Sequence, residues 1–341
     1  MEPPIRSAKG GNVATMIISR TPLRISIGGG GTDLPSYYSM AGGHVISVAI
    51  DKYIYIAIND TFTNDYFLKY SQLERVETRD QIKHPIIREA LTMLEIDPSV
   101  EIISMADIPA GTGLGSSGAF TVGLLKALYA HRREHVPARQ LAEMACHIEI
   151  DRLGEPVGKQ DQFIAAFGGL TSFQFATDGS VTTEALKLPP GCLTDLEHNL
   201  LLFFTGYSRS AGSILQDQAT RSTEGDAEMR RNLDETFELG HRIRTALEAG
   251  EPDAYGELLN EHWQRKRLRS PGMSNPMIDE LYEFGLENGA SGGKLVGAGA
   301  GGFLMFYAHD AAPVRRAFRQ RGLQEVVFRF DHDGAVLTAR T

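Results

Sequence analysis

Only two cysteines stand in 341 residues, Cys146 and Cys192, far apart and in no CxxC. That excludes a disulfide framework and a thiolate zinc site, and such usage leads us to expect a cytoplasmic protein. No apolar run approaches the roughly 20 residues that a bilayer-crossing helix requires, so no membrane partner is expected. The opening MEPPIRSAKGGNVAT lacks the apolar centre of a secretion signal. Residues 1–15 are therefore expected to form a disordered leader, with ordered chain from Met16. Positive charge is also short: 34 Lys and Arg against 43 Asp and Glu give a net charge of -9. A surface of that sign repels polyanions, which argues against nucleic acid. A small anion is still admitted where local cations and backbone amides converge on it. Internal repeats and low-complexity tracts are missing as well.

What is present suits a globular protein with a sizeable core: 42% hydrophobic and 23% charged residues. The length suggests two domains, 16–190 and 191–341, split near LKLPPGCLTDLEHN, whose Pro, Gly and polar residues read as a connection. MIISRTPLRISIGGGG and GHVISVAIDKYIYIAIND are rich in β-branched and aromatic residues, so the chain opens with sheet. SVEIISMADIP is another strand, and AFTVGLLKALYAHRRE is a helix starting just behind a glycine cluster. After the strand LLLFFTGYS, helices are predicted over 226–249, 252–268 and 275–288. A glycine-rich strand, KLVGAGAGGFLMFYA, follows, then a last helix and a hairpin with DHDG as its turn. The strand-heavy opening favours α+β over a doubly wound sheet.

The stretch DIPAGTGLGSSGAF, residues 107–120, admits two readings. Gly113, Gly115 and Gly118 form a GxGxxG, as do Gly297, Gly299 and Gly302 later on. A dinucleotide site also needs an acid about 20 residues beyond the glycines, where this chain has the helix end HRREHVPAR. The phosphate reading fits better. Gly111, Gly113 and Gly115 let the backbone approach an anion, and the helix behind them aims unpaired N–H groups and its positive dipole end at that point. Ser116 and Ser117 add hydroxyls for a phosphate oxygen or a magnesium ion. By shape alone, a tight turn capped by serine accounts for the stretch equally well. Downstream, HIEIDRLGEPVGKQDQF holds Glu149, Asp151, Glu155 and Asp161. On a helix Glu149 and Asp151 point in different directions, so one can face a site while the other faces solvent. Asp161, at the edge of an apolar segment, is a candidate for chemistry or for a turn.

PLRISIGGGGTDLPSYY, DIPAGTGLGSSGAF, GEPVGKQDQF and KLVGAGAGGF, in that order, resemble the GHMP kinases, the family of galactokinase, homoserine kinase and mevalonate kinase. The resemblance runs over nearly all the chain from Thr15 and is greatest to the branch acting on sugar phosphates. It implies an N-terminal α+β domain joined to a ferredoxin-like C-terminal domain, with the active site between them. It also implies that Pro109, Gly111, Gly113, Leu114, Gly115, Ser116, Ser117 and Gly118 wrap the phosphates of ATP. Ser117 and Glu149 would hold Mg²⁺, Asp161 would be the base, and Arg24 would stand beside it. Gly30, Gly31, Thr32 and Asp33 would contact the sugar, with Gly299 and Gly301 of the last glycine motif. Galactokinases carry Glu-His ahead of the Thr-Asp, where this chain has Gly30 and Gly31. That removes two polar side chains from the sugar pocket and speaks against galactose.

The implied activity is transfer of phosphate from ATP to the anomeric hydroxyl of a sugar phosphate, a heptose 7-phosphate or a relative such as an octose 8-phosphate. A kinase of the galactose, mevalonate or homoserine type, and a sensor that binds without transfer, are the alternatives. ATP and the sugar phosphate are the expected partners, and a homodimer is left open. The substrate's own phosphate needs a local cation in so acidic a protein. Arg209, between Ser208 and Ser210 at the start of a predicted helix, is the candidate. WQRKRLR, with Arg265, Lys266, Arg267 and Arg269, reads instead as a solvated helix face.

Overall fold

The computed structural model describes residues 16–206, 211–299 and 301–340. The expected leader and Arg209 lie outside the described residues. Eleven strands are described: β1 (Ile17–Gly28), β2 (Gly43–Asp60), β3 (Tyr66–Lys69), β4 (Leu73–Val76), β5 (Val100–Ala106), β6 (Leu170–Phe175), β7 (Val181–Ala185), β8 (Leu200–Gly206), β9 (Gly292–Leu295), β10 (Gly302–Tyr307) and β11 (Val336–Arg340). The larger sheet runs β11-β1-β2-β5-β3-β4. The 18-residue β2 holds two partners on one side: its start pairs with β6, which pairs with β7, and its end pairs with β5. All of these pairings are antiparallel except β3 with β5. The β1–β2 register slips after Pro22, a residue with no N–H to give to a ladder.

The helix Ser116–His131 lies on this sheet and is buried on nearly every side, from Gly118 through Ala130. Its apolar run thus reads as a core helix, not an amphipathic one. Gly123 brings it close to the sheet, its carbonyl accepting from Ser19 at 2.8 Å. The main core, with Ile25, Ile56, Leu124, Leu128 and Phe173, fills the space between.

The second sheet has the order β8-β10-β9, antiparallel throughout. Residues 324–326 add a fourth edge beside β8, where Phe203 bridges Glu325 and Val326 donates to Leu202 at 2.8 Å. Counted that way the order is 4-1-3-2, a βαββαβ ferredoxin-like arrangement. Trp263, Tyr282, Phe306 and Phe318 form its core. No described helix is long and apolar enough to cross a membrane.

The helices Ala227–Ala249, Pro252–Lys266 and Pro276–Glu287 agree closely with the periodicity. The terminal hairpin is a correction. DHDG does form a turn, with Asp331 accepting from the N–H groups of Asp333 and Gly334. Its flanks diverge, however: the segment before it edges β8 and bridges Ile50 to Phe330, while β11 returns to β1 in the larger sheet. Local turn chemistry does not fix the strand partner when an open edge is available elsewhere.

Candidate active site

A cavity of about 630 Å³ opens between the two sheets' halves of the molecule. Gly111, Gly113, Gly115, Ser116 and Ser117 form one wall. The loop after β5 turns through left-handed φ at Gly111, Gly113 and Gly115 and delivers the chain into the helix at Ser116. Pro109, Leu114 and Gly118 do not line the cavity: Pro109 is exposed, Leu114 is a core residue, and Gly118 is buried behind Asp161.

Arg24, from the middle of β1, is almost fully buried and donates from Nε to Asp161 Oδ1 at 2.7 Å and from Nη1 to the Gly113 carbonyl at 2.6 Å. One side chain thus ties the glycine loop to the carboxylate. Gln160 Nε2 also donates to Asp161 Oδ1, at 3.3 Å, so that oxygen is committed twice. Asp161 is the second residue of the helix Gln160–Phe167, its side chain 29% exposed and on the cavity wall.

Behind the loop, Ser117 donates to Glu149 Oε2 at 2.5 Å, and Gln162 donates to Oε1 at 3.1 Å. Glu149 sits in a π-helical turn, His147–Arg152, that continues the helix Ala138–Cys146. The turn sends Glu149 inward, while Asp151 points to solvent and pairs with His147. This is the divergence expected of the two acids. Burial pushes the Glu149 carboxyl above its ordinary range, partly offset by the bonds from Ser117 and Gln162. A hydroxyl and a carboxylate are hard oxygen donors, so the pair suits a magnesium ion.

The loop after β1 forms another wall with Gly30, Gly31 and Asp33. Asp33 accepts from the N–H groups of Gly31 at 3.0 Å and Gln160 at 3.2 Å. Burial and the nearby Asp161 push its carboxyl up. Thr32 is a correction to the set of sugar contacts. It is fully buried, its hydroxyl donates to the Gly29 and His44 carbonyls, and it does not line the cavity. A hydroxyl that satisfies buried backbone carbonyls holds the turn instead of facing a ligand.

From the second half, Gly299 and Gly301 reach the cavity, with Gly297. The two glycine motifs meet backbone to backbone. A Cβ on Gly297 would lie 2.4 Å from the Gly113 Cα, and one on Gly302 would lie 2.2 Å from the Thr112 carbonyl oxygen. Side chains that short exist only on glycine, so the repeated GxGxxG is used for close packing.

The WQRKRLR stretch corrects the expected solvated face. Arg265 pairs with Glu235 and Glu261 outside, but Lys266 and Arg269 are 7% and 3% exposed and line the cavity. His262 and Lys294, which the sequence did not single out, join them. A signal existed: 262, 266 and 269 are spaced by four and three, one face of a helix and its last turn. That face continues from the buried Tyr255, Leu258 and Leu259.

Residues 84–169 match the model for the GHMP kinases N terminal domain, and residues 243–324 match that for the GHMP kinases C terminal. The chain belongs to the GHMP kinase family. It is similar to the D-glycero-alpha-D-manno-heptose 7-phosphate kinase of Campylobacter jejuni, with 28% identity over 85% of this chain and 89% of that one. It is also similar to the galactokinase of Pyrococcus furiosus, with 25% identity over 84% and 87%. A solved structure described as a D-glycero-D-manno-heptose 1-phosphate kinase from Bacteroides thetaiotaomicron superposes with a TM-score of 0.76 at 24% identity, over 94% of this chain and 98% of that one. The Lactococcus lactis galactokinase complexed with galactose gives 0.73 at 18% identity, over 95% of both chains. These structural likenesses show the GHMP fold, α+β in two parts. In this GHMP kinase the cavity therefore lies where the N- and C-terminal halves of the fold meet.

Proposed function

We propose that this GHMP kinase transfers the γ-phosphoryl group of ATP to the anomeric hydroxyl of a sugar that already carries a terminal phosphate, a heptose 7-phosphate or a close relative such as an octose 8-phosphate. The observation that supports it most is the Arg24–Asp161 pair: a carboxylate on the cavity wall, tied through one guanidinium to the glycine loop. Gly111, Gly113, Gly115 and the start of the helix at Ser116 receive the phosphates of ATP on backbone N–H groups. Ser117 and Glu149 would hold Mg²⁺, which when bound neutralises phosphate charge.

Asp161 has one oxygen committed to Arg24 and Gln160, which leaves Oδ2 to take the proton. The anomeric O–H gives its proton to Oδ2, its oxygen forms the new bond to phosphorus, and the bond to the bridging oxygen breaks with its electron pair leaving on ADP. An anomeric hydroxyl is more acidic than an ordinary alcohol because the ring oxygen withdraws electrons, so a carboxylate suffices as base. The protein's share of the work is mostly positioning and charge stabilisation. A non-transferring ATP and sugar sensor would need no such base. Asp33, with Gly30 and Gly31, offers the polar groups for sugar hydroxyls.

Incubation with ATP, Mg²⁺ and heptose 7-phosphate, read by mass spectrometry and phosphorus NMR, is expected to give a heptose bisphosphate with the new phosphate on C1. Hexose 6-phosphates, octose 8-phosphate, galactose and mevalonate are the comparison acceptors. Preferential turnover of mevalonate or free galactose would replace the reading. ATP binding is expected to require a divalent cation. Ser117→Ala and Glu149→Gln should each raise the Mg²⁺ concentration for half-maximal rate by at least about 10-fold, since even outer-shell partners of a metal carry that much. An unchanged Mg²⁺ dependence in both variants removes them from the metal site.

A further inference from the structure

Lys266, Arg269 and Lys294 bring three cations into the interior of one cavity wall. None of them meets a carboxylate at salt-bridge distance among the described residues. Lys266 donates to the carbonyls of Leu295 at 2.7 Å and Gly297 at 2.5 Å. Lys294 lies 3.3 Å from the Ile27 carbonyl and 3.2 Å from His262 Nδ1. Arg269 donates to Asn232 Oδ1, the Gly30 carbonyl and the Thr236 hydroxyl at 2.9, 3.1 and 2.8 Å. Every partner is neutral. Buried cations whose hydrogen-bond partners are all dipoles are costly, although the Asp33 carboxylate acts on Arg269 from nearby and favours its charged form. Burial pulls Arg269 down to about 10 and Lys266 to about 7, and Lys294 lies well below its ordinary value. An anion in the cavity would satisfy all three.

Their positions divide them. Lys266 bonds the Gly297 carbonyl, whose backbone packs on Gly113, on the side of the glycine loop. Lys294 bonds the end of β1, and Arg269 bonds the loop that follows it, on the side of Asp33. A guanidinium has five N–H donors, and the three bonds of Arg269 leave two for a ligand. The guanidinium takes up the room beside residue 31: a Cβ at Gly31, where φ is +105, would lie 2.4 Å from its Nη1 and would displace it. The space that Gly31 leaves, where galactokinases carry the His of Glu-His, is thus occupied by a cation, while Gly30 faces Ser26 and Gln160. Beside it, Gln160 Oε1 and His262 Nε2 are buried polar atoms on the same cavity with no hydrogen-bond partner among the described residues.

We infer that Arg269, with Lys294 beside it, is the subsite for the phosphate monoester that the acceptor already carries, while Lys266 serves the nucleotide side. This rests on the reading of the chain as a sugar-phosphate kinase. The guanidinium presents its two remaining N–H groups to phosphate oxygens, and an anion placed there would favour the protonated form of Lys294, which then adds a second cation. Phosphate recognition would then come from the C-terminal half and hydroxyl recognition from the N-terminal half, so one acceptor molecule spans both.

The test is steady-state kinetics with heptose 7-phosphate and with the same heptose lacking its phosphate, for wild type, Arg269→Met, Arg269→Lys and Lys294→Met. In Arg269→Met, KM for heptose 7-phosphate should rise about 10- to 100-fold, the range for charged hydrogen bonds, while KM for MgATP moves far less. Arg269→Lys should recover part of the loss. The ratio of kcat/KM for phosphorylated over unphosphorylated sugar should fall in both Met variants. Melting curves with heptose 7-phosphate and no nucleotide give a second readout, with the ligand-induced shift reduced in both. Should Arg269→Met not fold, Lys294→Met decides by the same two measures. If wild type prefers the phosphorylated sugar and the variants keep that preference, or if the rise appears in KM for MgATP instead, the subsite is wrong and the kinase reading stands. If wild type shows no preference, both fall.

Discussion

Asp161→Asn is expected to lower turnover by roughly two to four powers of ten, the usual span for loss of a general base, with folding and MgATP binding kept. The substitution preserves the side chain's shape and leaves an oxygen that can accept from Arg24 Nε, now 2.7 Å away. What it removes is the acceptor of the proton. Because Arg24 also holds the Gly113 carbonyl, a displaced arginine would disturb the nucleotide loop as well. The discriminating measurement is therefore kcat together with the affinity for MgATP. A rate within a factor of about three of wild type, far inside the range for a lost base, would make Asp161 a structural residue. A parallel loss of nucleotide affinity would instead assign the effect to loop geometry.

Gly297→Ala should be a strongly damaging single methyl group in the cavity wall. At φ +80 an added Cβ would lie 2.4 Å from the Gly113 Cα and 2.6 Å from its carbonyl oxygen. Both are backbone atoms, so no side-chain rotation relieves the overlap. Left-handed strain of about 1 to 3 kcal/mol and overpacking of about 1 to 3 kcal/mol together predict a loss of about 2 to 6 kcal/mol in denaturant unfolding. Gly191→Ala is the control: it has a similar φ of +87 but nothing within 4 Å of the added Cβ. It should lose only the conformational part, about 1 to 3 kcal/mol. Equal losses in the two variants would refute the claim that the seam is held by contact. Activity should fall in Gly297→Ala as well, because its carbonyl accepts from Lys266 at 2.5 Å.

The parts of this picture that were legible in the sequence are those governed by neighbours in the chain. A strand, three glycines and an apolar run are enough to place the helix at Ser116, and period alone separates Glu149 from Asp151. Three features were not legible, each for a distinct reason. Lys266 and Arg269 looked solvated because charge is normally outside, and only the second half's packing against the loop after β1 buries them. Thr32 belongs to a motif whose polar residues suggest ligand contact, yet its hydroxyl is taken by the Gly29 and His44 carbonyls, one of them brought close by β2. β11 was read as half of a hairpin because a turn signal is local, whereas its partner is not.

That return of β11 to β1 also sets a schedule for folding. Thr338 donates to the Ile18 carbonyl across 320 positions of sequence. During synthesis the outer edge of β1 stays unpaired until almost every other described element has emerged. An open strand edge of that kind is a template for pairing with another chain, and loop closure over such a separation is slow. The larger sheet is therefore completed only when β11 docks on β1, and until then its edge strand carries unpaired backbone groups.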